Sequence, residues 1–210
     1  MWNLIYLIPL LIAAVAGIRS LIKKWDIQYR ILSVLLLIHV SVELMVLIRP
    51  NPDREFYYYD ISFPIRHLLL LTIYYISTNS VIHKITIIIL GGMFLLHTFF
   101  CFSRIFFRED SFLRLNASLA MVYLSIAFFN ELLKRELAVR LNTYPMAWFS
   151  TGVLIYHASI IPYLIMLGFY PITDNIPLER ALNYLPLFLA ATMYVFFAIA
   201  FLCTQDPENT

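Results

Sequence analysis

At least seven apolar stretches, most of them long enough to cross a bilayer, follow one another in 210 residues with almost nothing between them. A helix needs roughly 20 apolar residues to cross a hydrocarbon core about 30 Å thick. Seven such helices with short connectors use the whole length. The chain is 61% hydrophobic and only 13% charged, with a mean hydropathy of +0.80, whereas a soluble domain is closer to half apolar and a quarter charged. The expected class is therefore an all-α polytopic membrane bundle forming a single domain over residues 1–210. Its activity belongs within the membrane, at the two membrane faces, or with a protein partner.

The candidate spans are residues 2–18, 31–48, 62–79, 85–103, 115–131, 147–168 and 181–203. The breaks between them are polar. Residues 49–55 carry two prolines and four charges and read as a turn that cannot continue a helix. Residues 131–142 are charged and read as a short amphipathic helix. Asn116, Ser118 and Ser125 dilute the fifth span, so a six-span arrangement competes with the seven-span one. The first apolar run begins at Trp2 with no Lys or Arg ahead of it. It therefore reads as a first span and not as a cleavable signal peptide.

Lys and Arg in short loops set orientation. With the N-terminus outside, the loops assigned to the cytoplasm hold Arg19, Lys23, Lys24, Arg30, Lys84, Lys134, Arg135 and Arg140. The opposite face holds nearly as many basic residues, so the first hairpin, basic on one side only, decides for N-out and C-in. Lys134, Arg135 and Arg140 then form a surface for lipid contact or partner docking. A net charge of +2 gives no reason to expect nucleic acid.

Small residues at Ala13, Ala14, Ala16 and Gly17, and the Gly91–Gly92 pair, predict close helix approach. Trp2, Trp25, Trp148 and the run Tyr57, Tyr58 and Tyr59 fall near the expected interfaces, where aromatic belts form. Cys101 and Cys203 lie near the ends of different spans and read as buried thiols. Pro9, Pro162 and Pro186 fall inside spans and tend to bend them. Bends in the sixth and seventh spans would shape a cavity, although fitting a helix to its neighbours is reason enough for them.

Ionisable side chains inside spans are rare and mark functional sites or internal pairs. Here they are His39, Glu43, Arg66, His67, His97 and His157. His39 and Glu43, four residues apart, share a helix face. A rise of about 1.5 Å per residue puts Glu43 and Arg66 at similar depth, roughly 6–8 Å inside the same face. A direct Glu43–Arg66 ion pair is expected, with the histidines around it. Two readings stay open: a polar cavity, open outward, for a small ligand, an anion or a metal, or a set of locally satisfied structural contacts.

The sequence offers little chemistry. One His-x-x-x-Glu pair is a weak metal signal, because a metal site wants three or four ligands. No Gly-x-Ser-x-Gly elbow or Gly-rich phosphate loop occurs. Residues 181–204 hold no Lys for a retinal Schiff base, and no cofactor or metal is expected.

Residues 9–24, Val42 to Leu44, Tyr58 to Ile61 and above all residues 144–156 together resemble the seven-helix membrane regions of uncharacterised bacterial proteins, some of which precede a sensor histidine kinase module. The resemblance covers nearly the whole chain, but the 210 residues include no kinase. It implies a bacterial inner-membrane protein with a cytoplasmic C-terminus and a sensory or partner-docking role. The leading expectation is a non-enzymatic sensor or ligand-binding subunit that signals to a cytoplasmic or membrane protein partner. The alternatives are a small secondary transporter using the same cavity and, behind it, a metal-dependent membrane enzyme.

Overall fold

A computed structural model describes residues 3–23, 25–48, 52–102, 110–134, 144–169 and 176–203. These form seven α-helices and no strand: α1 (Asn3–Ile22), α2 (Ile27–Ile48), α3 (Pro52–Ser77), α4 (Val81–Phe102), α5 (Asp110–Lys134), α6 (Pro145–Phe169) and α7 (Ile176–Cys203). Segments of five helices (Ile27–Ile48, Val81–Phe100, Phe112–Lys134, Pro145–Met166 and Tyr184–Cys203) are long and apolar enough to cross a membrane. The shorter apolar stretches Tyr6–Ile22 and Ile61–Ser77 complete the bundle.

Neighbours in sequence pack against each other, and α7 returns to α1, closing a ring of helices. α3 also touches α5, which leaves α4 on the outside, packed mainly against those two. The outward faces are apolar: Ile12, Val15, Leu47, Ile85, Ile88, Phe99 and Leu202 are all exposed. That is the surface a bilayer covers.

α5 is the most buried of the five long spans. Two of the residues that dilute its sequence, Ser118 and Ser125, are buried. Ser125 Oγ is 2.7 Å from the Tyr74 hydroxyl and donates to the Met121 carbonyl at 2.8 Å. Polar side chains between helices act as interhelical contacts, so the weak hydropathy of this segment marks an internal helix and the seven-helix arrangement holds.

The centre is aromatic. Phe149 and Phe197 stack at 5.1 Å between α6 and α7, and Tyr74 meets Phe149 at 5.6 Å. α1 approaches α2 closely, as the small residues predict. Ser33 Oγ donates to the Gly17 carbonyl at 2.8 Å, and a Cβ on Gly17 would lie 2.9 Å from that hydroxyl. The close approach expected of Gly91 and Gly92 does not occur. Gly92 has open space around it and Gly91 only an ordinary contact with Leu71, because the outlying α4 has few neighbours. The close glycine on the other side is Gly152, where a Cβ would come within 2.7 Å of Phe196 Cβ.

Three further expectations change. Residues 49–55 are not all turn, because α3 begins at Pro52. Proline suits the first helical turn, where its missing N–H needs no partner. Trp25 is buried and stacked on Phe201 at 6.5 Å instead of facing an interface. Pro162 is exposed on the outer surface of α6, whereas Pro186 faces inward. Trp2, Lys24, Arg135, Arg140 and most of the proposed amphipathic segment lie outside the described residues. Lys134 is the exposed last residue of α5.

Candidate functional site

Helices consecutive in sequence run in opposite directions, so the N-terminal parts of odd-numbered helices and the C-terminal parts of even-numbered ones meet at one end of the ring. At that end the helices enclose a cavity of about 360 Å³. Its lining includes His39 and Glu43 from α2, Arg66 and His67 from α3, and His157 from α6. Five of the six expected ligand-binding residues are thus brought together.

The direct Glu43–Arg66 pair is replaced by a chain in which His39 is the middle link. Arg66 Nη1 meets His39 Nδ1, and His39 Nε2 lies 3.5 Å from Glu43 Oε1. Guanidinium only donates. His39 Nδ1 must therefore accept, which puts the ring proton on Nε2, facing the carboxylate. Depth estimates had put Arg66 level with Glu43 but could not see that the ring one turn earlier on α2 reaches Arg66 first.

Two tyrosines complete the shell of Glu43. The Tyr6 hydroxyl donates to Oε2. The Tyr59 hydroxyl is 3.0 Å from both carboxylate oxygens. Glu43 is thus buried with donors on each oxygen, the arrangement a buried acid requires. Arg66 is less well served. Its Nε points to the Ser62 carbonyl at a long 3.4 Å, and its other contact is an uncharged imidazole.

Around this polar strip the wall is mostly apolar, with Leu35, Phe63, Leu70, Met193 and Phe197. The Tyr194 ring lies 5.4 Å from His39. Arg114, from the start of α5, also lines the cavity and has its guanidinium 5.9 Å from the centre of the Phe63 ring. Pro186, whose ring cannot donate a backbone hydrogen bond, forms part of the α7 wall. His157 is buried, with Nδ1 3.1 Å from Ser118 Oγ.

Sequence reading missed Arg114, Tyr6, Tyr59, Tyr156 and Tyr194. Arg114 falls in a charged stretch that composition reads as a loop, and Tyr59 falls where an aromatic belt is expected. For Tyr6, a spacing signal did exist: it sits within the first turn of α1 and Glu43 within the last two turns of α2, at the same end of the bundle.

His97 does not reach the cavity. Its Nδ1 is 3.4 Å from Asn116 Nδ2, and it lines a groove of about 810 Å³ between α4 and α5. That groove is larger but apolar, with Met93, Leu96 and Leu119 exposed along it. His67 belongs to both spaces and is held between Phe63 and Phe94, with ring centres 6.2 and 4.2 Å away. Among the described residues no three His, Cys, Asp or Glu side chains converge as a metal site would need. No family model, no characterised protein and no solved structure matches the chain.

Proposed function

We propose that the protein is a non-enzymatic membrane sensor or ligand-binding subunit that holds a small ligand in the cavity of about 360 Å³. One observation carries this reading: a buried carboxylate, a guanidinium and three histidines line a space that the bundle leaves unfilled. Intramembrane charges are costly and face sites or pathways. A volume near the lower end of the usual ligand range of about 300–1,000 Å³ suits a small metabolite.

The cavity lies in the half of the bundle that includes the start of α1. With the N-terminus outside, as the basic first hairpin favours, the ligand enters from the outer face. The opposite end, which carries Lys134 at the close of α5, then faces the cytoplasm and a partner protein. Ligand between α2, α3 and α7 would shift those helices relative to one another, and that shift is the signal.

The test is a thermal-stability screen of purified protein against small metabolites, repeated with the cavity filled by Ala190→Leu. Compounds that stabilise the native protein but not the variant support the reading. If no compound distinguishes the two, the cavity is not a binding site. Flux of a bound compound into proteoliposomes would make the protein a transporter instead.

A further inference from the structure

The donors and acceptors facing the cavity are unequally used. Both oxygens of Glu43 are already met by donors: Tyr59 and His39 on one, Tyr6 and Tyr59 on the other. Arg66 carries five N–H bonds. One is directed at His39 and one, weakly, at the Ser62 carbonyl. Among the described residues the Nη2 group has no further partner. The site therefore has three uncommitted N–H donors on a fixed positive charge, whereas three donor groups already converge on its negative one. Tyr156 and Tyr194 line the same space.

Resting on the reading of the cavity as a ligand site, we infer that the ligand is an organic monocarboxylate whose carboxylate docks on Arg66 and whose body is apolar. Guanidinium matches carboxylate geometry with two parallel hydrogen bonds. A cation would be repelled by Arg66, and the carboxylate that could receive it already holds the Tyr6 and Tyr59 hydroxyls and faces His39. A dianion is disfavoured because Glu43 lies just beyond the His39 ring. Apart from Arg114, whose guanidinium lies over the Phe63 ring, the remaining wall, with Leu35, Phe63, Leu70, Met193 and Phe197, is apolar and suits a hydrocarbon or aromatic body.

The experiment uses the full chain in an uncharged detergent and three probes with one body: hexanoate, hexan-1-ol and hexylammonium. Hexanoate should raise Tm in a saturable way, and the other two should not. Arg66→Gln should weaken hexanoate by at least about 30-fold, equivalent to roughly 2 kcal/mol. Arg66→Lys, which keeps the charge but not the fork, should fall between. Should the Gln variant fail to fold, the ranking of the three probes on the native protein decides alone. If hexan-1-ol or hexylammonium stabilises as well as hexanoate, and Ala190→Leu abolishes the effect, the carboxylate assignment is wrong and the cavity remains a site. If Ala190→Leu leaves every probe's effect unchanged, both readings fall.

Discussion

Glu43 and Glu131 sit near opposite ends of the bundle, and each gathers a small polar cluster. Glu131, at the end of α5, accepts from the Thr78 hydroxyl and from the Asn79 backbone N–H at 3.0 Å, with His83 Nδ1 at 3.5 Å. It ties the α3–α4 connection to α5, and Ser80 caps α4 beside it through the His83 N–H at 3.4 Å. The space next to this cluster is about 10 Å³, at the threshold for one water. Glu43 is just as well bonded, yet its cluster borders about 360 Å³ and includes Arg66. A carboxylate kept for architecture bonds to loop and helix ends and leaves no room. A carboxylate beside an under-used cation and an open volume is the arrangement on which the proposed ligand site rests.

The contrast can be broken at either end. Ala127 is buried against the small void beside the Glu131 cluster. Ala127→Leu should overpack it and cost about 1–3 kcal/mol, read as a lowered Tm in detergent, with hexanoate binding unchanged. Glu131→Gln weakens or removes several hydrogen bonds at once and should cost about 1–2 kcal/mol, again without touching the probe. Hexanoate binding lost in either variant would mean that the two ends are not independent.

Arg66→Met sharpens the other side. Arg66 contacts an imidazole and a carbonyl, and Glu43 keeps its tyrosine donors without it. Replacing this half-buried, weakly bonded charge with an apolar side chain of similar length is then close to neutral. The expected change is less than about 1 kcal/mol in either direction, with the hexanoate response lost. Stability lost in Arg66→Met and in Glu43→Gln but recovered in the double variant would reveal a structural ion pair and erase the contrast.

The helices were legible because bilayer-length apolar runs leave little choice of fold. The ends were less so, since Pro52 and Asp110 open helices within stretches that composition alone assigns to loops. The grouping of His39, Glu43, Arg66, His67 and His157 was readable too, because alternating helices carry equal depths to the same end. What could not be read was rotation about each helix axis. That rotation turns His97 into the α4–α5 groove, brings Tyr6 and Tyr59 onto Glu43, and places the His39 ring ahead of Arg66. A weak hydrophobic pattern in α5 hid its internal position for the same reason: its serines point inward, where a soluble helix would turn them out.

The smallest stability effect should come from Ala190→Leu, and it discriminates most. Ala190 is half-buried on α7 and lines the cavity. Three added carbons there enter existing space, so the overpacking that penalises Ala127→Leu does not arise. Burial of the new side chain against Leu187 and Met193 offsets its lost rotamer freedom, and the net change should stay within about 0.5 kcal/mol. The same side chain reduces the room for a ligand body, so the hexanoate shift in Tm should vanish while the protein alone melts as before. Two Ala→Leu substitutions, one costly and silent in binding, the other nearly free and fatal to it, would show that the empty volume beside Arg66 is held open for a guest. Equal cost at both positions would instead mean that the volume closes up in the membrane and that the two carboxylates serve the same structural purpose.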